Sequence, residues 1–157
     1  MFDDVTADEL GPWLGFLRLA FLIPGRLDSA LDAHGLSLTE FLVLDMLAML
    51  ERRGGSQRIG KIAETAGVSP STMSRVLSRM EQAGAVSREP SAEDRRVVVV
   101  ALTTAGRAAR DAAAPAYFAV VQDAFTSRLS PAQAAALEDV VAALDPDWTP
   151  MTSGMNS

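Results

Sequence analysis

The twenty residues from Ile59 to Ser78, IGKIAETAGVSPSTMSRVLS, leave the chain little choice of local fold. Two short helices that cross closely need a small residue in the first, a turn-permissive residue between them, and apolar residues wherever both face a core. Ala63 meets the first need, Gly67 the second, and Ile62, Ala66, Val68, Met73 and Val76 the third. Ser69 stands where a side-chain oxygen can cap the second helix. Pro70 takes that helix's first position, where a missing N–H costs nothing. The spacing predicts helices over Lys61 to Ala66 and Pro70 to Gln82, joined as a helix-turn-helix.

Met73, Val76, Leu77 and Met80 recur at i, i+3, i+4 and i+7 and are expected to face inward. Ser71, Thr72, Ser74, Arg75, Ser78 and Arg79 are then left outward, with no acid among them. Short hydroxyls allow close approach to a surface, and an arginine at the centre can donate two hydrogen bonds to a guanine edge in a major groove. The alternative is a merely solvated face. Glu and Lys would be the more usual choice there, since Ser and Thr are mediocre helix formers.

Strands are expected near Ala85 to Glu89 and at Val97 to Leu102, the second from its β-branched run. The intervening Arg88-Glu-Pro-Ser-Ala-Glu-Asp-Arg-Arg96 has turn residues at Pro90 and Ser91. As a hairpin beside the second helix it would carry arginine toward a minor groove, where negative potential is focused, and Arg88, Arg95 and Arg96 are the candidates. Asp94 would pair with a neighbouring arginine and orient it. Taken alone, the loop reads as an ordinary charged hairpin.

The flanks are helical. From Gly11 to Ala33 the chain is apolar on nearly every side of a helix and needs covering on more than one face. Pro24, unable to donate to the carbonyl of Ala20, is expected to kink or break it. Ser37-Leu-Thr-Glu40 is a capping box opening a helix through Phe41, Leu44, Leu47 and Leu50 to Gly54-Gly55. An alanine-rich helix from Thr103 to about Ser127 is expected to be interrupted at Pro115. The last helix opens on Ser130, Pro131 and Gln133 and ends before Asp145-Pro146, with 146–157 expected as a flexible tail.

The formal charge of −6 argues against a polyanionic partner until its distribution is considered. Between Arg52 and Arg96 there are nine Lys/Arg and five Asp/Glu, against five basic and fifteen acidic residues elsewhere. The middle third is the part suited to phosphates. The chain has no cysteine, which removes disulfides, thiolate metal sites and thiol redox sensing. His34, the one histidine, precedes Gly35 at a helix end and reads as a partly exposed cap residue rather than a ligand. No metal and no cofactor is expected. No nucleophile and base pair or phosphate-cradling glycine loop suggests an enzyme. Met1 to Glu9 carries four acids and no base, and no apolar run approaches the ~20 residues that span a bilayer, so a cytoplasmic protein without a membrane partner is expected.

Three segments, Gly35-Leu-Ser-Leu-Thr-Glu-Phe-Leu-Val-Leu44, Val68-Ser-Pro-Ser-Thr-Met-Ser-Arg75, and Asp94-Arg-Arg96 followed by Leu102-Thr-Thr-Ala-Gly106, occur in this order. With them the chain resembles the MarR family of bacterial regulators over about residues 10–145. The resemblance implies a mainly α (α+β) winged helix-turn-helix with N- and C-terminal dimerisation helices. Residues 1–36 and 104–145 would form the dimerisation helices and 37–103 the DNA-binding domain. It implies a homodimer on a pseudo-palindromic double-stranded DNA operator, acting as a ligand-responsive regulator, more often a repressor than an activator. Ser69, Pro70, Ser71, Thr72, Ser74, Arg75, Ser78 and Arg79 match its DNA-facing segment, Arg96 its minor-groove arginine and Asp94 the acid that orients it. It implies a small aromatic or lipophilic effector where the dimerisation helices meet the winged domain. Trp13, Phe16, Phe41 and Asp45 are candidate walls, although apolar residues at helical spacing read more simply as core. A winged module that uses its exposed helix to bind protein stays open as a second class.

Overall fold

The computed structural model of the chain describes residues 7–52, 57–91 and 97–146. The elements are α1 (Ala7–Asp32), α2 (Leu38–Glu51), β1 (Gln57–Arg58), α3 (Ile59–Thr65), α4 (Pro70–Gln82), β2 (Val86–Pro90), β3 (Val98–Leu102), α5 (Thr104–Ala124), a 3₁₀ turn (Thr126–Arg128) and α6 (Pro131–Leu144). Two compact units divide between Val120 and Val121, within α5.

Local chemistry sets the helix ends. Ser37 and Glu40 close the predicted capping box on α2, each accepting from the other's backbone N–H, and Asp28 of α1 accepts from Leu38 N at 2.6 Å. Ser69 caps α4 through Thr72 N with Pro70 at the first position, and Ser130 and Gln133 form the capping box of α6. Gly67, at φ 64°, ends α3: its own N–H bonds to Glu64 O and that of Val68 to Ala63 O, the paired bonds of a Schellman motif. Gly84 repeats this after α4, which the spacing argument did not anticipate.

α2 buries seven of its fourteen residues and is the central strut. Val43, Leu44, Met46 and Leu47 pack with Ile62 and Ala63 of α3, Met73, Leu77 and Met80 of α4, and Val86 and Val100 of the sheet. A second cluster joins Leu31 of α1, Phe41 of α2, and Ala113 and Ala114 of α5. The inward face assigned to α4 from its spacing is therefore the observed one, with Val76 half-buried.

The sheet is antiparallel in the order β1-β3-β2, with Arg88 opposite Val100 and Pro90 opposite Val98. β1, two residues pairing Gln57 with Val100 and Arg58 with Val99, is too short to leave any period-2 signal and went unpredicted.

The interruption expected at Pro115 is corrected, and of the two outcomes expected at Pro24 the break does not occur. Neither Pro24 nor Pro115 breaks its helix; α1 runs from Ala7 to Asp32 and α5 from Thr104 to Ala124. Each proline removes one donor, a cost of about 3 kcal/mol in a helix interior. Packing beside each outweighs it, through buried Leu27 and Leu31 in α1 and buried Ala113 and Ala114 in α5. Among the described residues, no helix is long and apolar enough to cross a membrane.

Gly106, the third residue of α5, packs directly on the backbone at the start of β2. Thr103 supports the same junction: its N–H bonds to Ala85 O at 3.2 Å, its hydroxyl lies 2.7 Å from Gly84 O, and the hydroxyl oxygen accepts from Gly106 N at 2.9 Å. The Leu102-Thr-Thr-Ala-Gly106 segment is thus the seam between the sheet and α5.

Candidate nucleic-acid interface

α4 is amphipathic and its exposed side is narrow. Ser71, Thr72, Arg75, Arg79 and Gln82 are exposed, as are Ser69 and Pro70 at its start. Glu81, the one acid of the helix, is exposed as well, but on the flank beside Arg88, so the face around Arg75 carries no carboxylate. Ser69, Ser71 and Thr72 form a hydroxyl cluster, with Ser69 Oγ 3.0 Å from Ser71 Oγ and 2.9 Å from Thr72 Oγ1. Arg75 is exposed and pairs with none of the described residues.

The other candidates on this helix are placed differently. Ser74 and Ser78, expected to face outward, are half-buried on one flank. Arg88 of β2 covers them: its Nη2 donates to Ser74 O at 3.2 Å and to Ser78 Oγ at 3.0 Å, and its Nε lies 3.4 Å from Glu81 Oε2. On the opposite flank Arg79 remains exposed but donates from Nε to Glu40 Oε1 at 2.8 Å. A helical wheel separates inward from outward but cannot say which element covers a flank. Asp94, Arg95 and Arg96, the candidate wing tip, lie outside the described residues.

Glu40 was legible only as a capping-box member. It is the one buried charged residue among those described, at 8% exposure. Burial pushes its carboxyl upward, but hydrogen bonds from the Ser37 backbone and hydroxyl and from Arg79 outweigh that and hold it below its ordinary 4.5. A carboxyl lowered on folding stabilises fully above its unfolded pKa, and that contribution is lost as pH falls through the lower folded value. Glu40→Gln should therefore be less stable than the parent at pH 7, with the gap narrowing below about pH 4.5. Urea midpoints measured from pH 7 to 3 check this, and a gap that stayed constant would contradict it.

The four candidate effector walls do not form one surface within the described chain. Trp13 and Phe16 are 53% and 57% exposed on α1, with ring centroids 6.1 Å apart. Phe41 is fully buried and stacks on Tyr117 at 4.5 Å. Asp45 accepts from Nε of Arg110 at 2.8 Å and also from its Nη2. Along α1, Trp13 precedes Leu31, which packs on Phe41, by about 27 Å of helix rise. Arg110 and Tyr117 went unnoticed in the sequence because their partners lie on α2, far away in the chain. Burial raises the Tyr117 hydroxyl's pKa, and the Asp45 charge raises it further. A groove of about 650 Å³ lies elsewhere, between the α1–α2 turn and α4, lined by Asp28, Asp32, Ser37, Glu40 and Arg79 among others. His34, in that turn, is exposed and donates its backbone N–H to Leu31 O, as expected of a cap residue.

A helix-turn-helix followed directly by an antiparallel strand pair, with the acid-free face around Arg75 turned outward on the second helix, defines a winged-helix protein of the DNA-binding kind. The MarR family model matches residues 36–98. The transcriptional repressor Rv2887 of Mycobacterium tuberculosis is 35% identical over 97 residues, 60% of this chain and 67% of that one. Among solved structures, AbsC of Streptomyces coelicolor, a MarR family regulator, is 30% identical with TM-score 0.78 over 90% of this chain and 93% of that one. Sco3205 of the same organism, solved in complex with DNA, is 28% identical with TM-score 0.84 over 93% and 94%. The chain belongs to the MarR family and is a DNA-binding transcriptional regulator of that type.

Proposed function

We propose that the protein acts as a homodimeric repressor that binds a pseudo-palindromic operator and is released by a small aromatic or lipophilic effector. The observation that carries the DNA part is the exposed, acid-free side of α4 with an unpaired Arg75 at its centre. In this reading Ser69, Pro70, Ser71, Thr72 and Arg75 enter the major groove, and Arg95 and Arg96, with Asp94 orienting them, reach the adjacent minor groove.

Homodimerisation is supported by an apolar surface that a monomer does not account for. Leu10, Trp13, Leu14, Phe16, Leu19, Phe21 and Leu22 of α1 are 41% to 74% exposed, and in the second unit Val140 and Leu144 of α6 are exposed as well. Side chains of this size on one helix are what a second copy would cover. We assign 1–36 and 104–145 to dimerisation and 37–103 to DNA binding. For the effector, Trp13 and Phe16 offer exposed rings, while Phe41 is fully buried and the Asp45–Arg110 pair is half-buried.

The test is binding of the full chain to a random-sequence duplex across a salt series, with sedimentation of the complex. A dimer per duplex whose log affinity falls with log salt by a slope of several phosphates is expected. Binding without salt dependence, or none, would overturn the DNA-binding reading.

A further inference from the structure

Arg88 has the sequence signature of a DNA contact, a cation at the base of the wing, yet its side chain is folded onto the flank of α4. Only 26% of that side chain is exposed, and its Nε is fully buried. One nitrogen, Nη2, bridges two acceptors a single helical turn apart on α4, Ser74 O and Ser78 Oγ. Ser78 Oγ donates to the same Ser74 carbonyl at 2.9 Å, which closes a three-membered network. Glu81, one turn further on, neutralises the guanidinium. At the other end Arg88 sits opposite Val100, the fully buried centre of β3. The guanidinium thus links the middle of the sheet to the flank of the recognition helix.

We propose that Arg88 is a positioning residue that grips α4 through Ser74 and Ser78, so that the wing strand and the recognition helix present themselves to DNA as one rigid unit, and that it does not itself contact DNA. The arrangement explains the two serines. A guanidinium can reach a helix carbonyl from the side only where the flanking residues are small, and Ser78 supplies an acceptor besides. Arg79, held by Glu40, steadies the opposite flank, and Arg75 lies between the two braces. The division of labour follows: one arginine reads and two hold.

This inference rests on the DNA-binding reading, and two charge-neutral variants test it separately from that reading. Arg88→Lys keeps the charge a phosphate contact would need but cannot reproduce the guanidinium's fork. Ser78→Ala removes the hydroxyl alone. The probes are a duplex selected by the parent protein from a random-sequence pool and a shuffled duplex of the same composition. Both variants should keep the parent's salt slope and its affinity for the shuffled duplex, while losing affinity for the selected one by about tenfold for Arg88→Lys and somewhat less for Ser78→Ala. The double variant should be no worse than Arg88→Lys alone, because the two changes break one contact. Urea midpoints of the same four proteins should show matching non-additivity without DNA. Parent-like affinity of Arg88→Lys for the selected duplex, or additive effects of the two substitutions in either assay, would overturn the assignment. A parent that bound neither duplex would instead refute the regulatory reading, and the urea cycle would still decide the brace.

Discussion

Gly106→Ala is expected to lower the melting temperature by about 10 °C, the largest stability loss we anticipate from any single methyl group in this chain. A Cβ at this position would lie 1.9 Å from Ala85 O and 2.9 Å from Ala85 C, both backbone atoms, and 3.0 Å from Leu102 Cδ1. Backbone cannot rotate aside as a side chain can. The start of α5 would have to retreat from β2, and Thr103 would lose its bonds to Gly84, Ala85 and Gly106 as it did so. Overpacking of a rigid site costs about 1–3 kcal/mol and sometimes more, and the closeness of this overlap places it at the upper end. Gly60→Ala is the matched control. It lies within α3 with nothing within 4 Å of a new Cβ, so alanine there should stabilise by about 0.5–1 kcal/mol. Thermal unfolding of the three proteins by circular dichroism decides the matter, and equal melting temperatures for parent and Gly106→Ala would show that the seam yields.

Arg75→Ala should weaken binding to a selected duplex by about 1–3 kcal/mol, roughly 5- to 150-fold, with a smaller effect on a shuffled one. The expectation follows from what Arg75 lacks. It has no partner among the described residues, so its removal leaves no buried group unsatisfied, and alanine is the better helix former. Unchanged thermal stability together with lost specificity is therefore the signature of a reading residue. Fluorescence anisotropy with both duplexes measures it. Parent-like discrimination between the two would move the reading role elsewhere on α4.

Much of the fold is legible in the sequence, because its determinants are local. Ser37 with Glu40, Ser69 with Pro70, and Ser130 with Gln133 mark helix starts by chemistry that acts within one turn. Gly67 marks the helix-turn-helix turn by a backbone angle that other residues rarely adopt. The inward face of α4 is equally legible, since its 3.6-residue period is geometric. That α1 and α5 continue through Pro24 and Pro115 is not legible locally, because the packing that offsets each proline's cost is tertiary.

The candidate site was only partly legible. From the chain alone, Arg75 stands at the centre of the outward face, but Arg79 and Arg88 read equally as cations free to meet phosphate, and Ser71, Ser74 and Ser78 as three equivalent outward hydroxyls. Packing separates them. Glu40 lies 39 residues before Arg79, and Ser74 lies 14 residues before Arg88, so neither pairing has a spacing signal. Gly106 is similar: as a glycine in the first turn of a helix it looks like a weak choice, until Ala85 O is found where its side chain would be. By itself the sequence determined that a helix-turn-helix would form, where its helices begin, and which side of α4 faces the core, because each depends on atoms a few residues apart. The pairing of the arginines came from the tertiary structure, which ties Arg88 to Ser74 and Ser78 and the still exposed Arg79 to Glu40 while leaving Arg75 unpaired among the described residues, because a charge pairs with whatever the fold brings within about 4 Å of it.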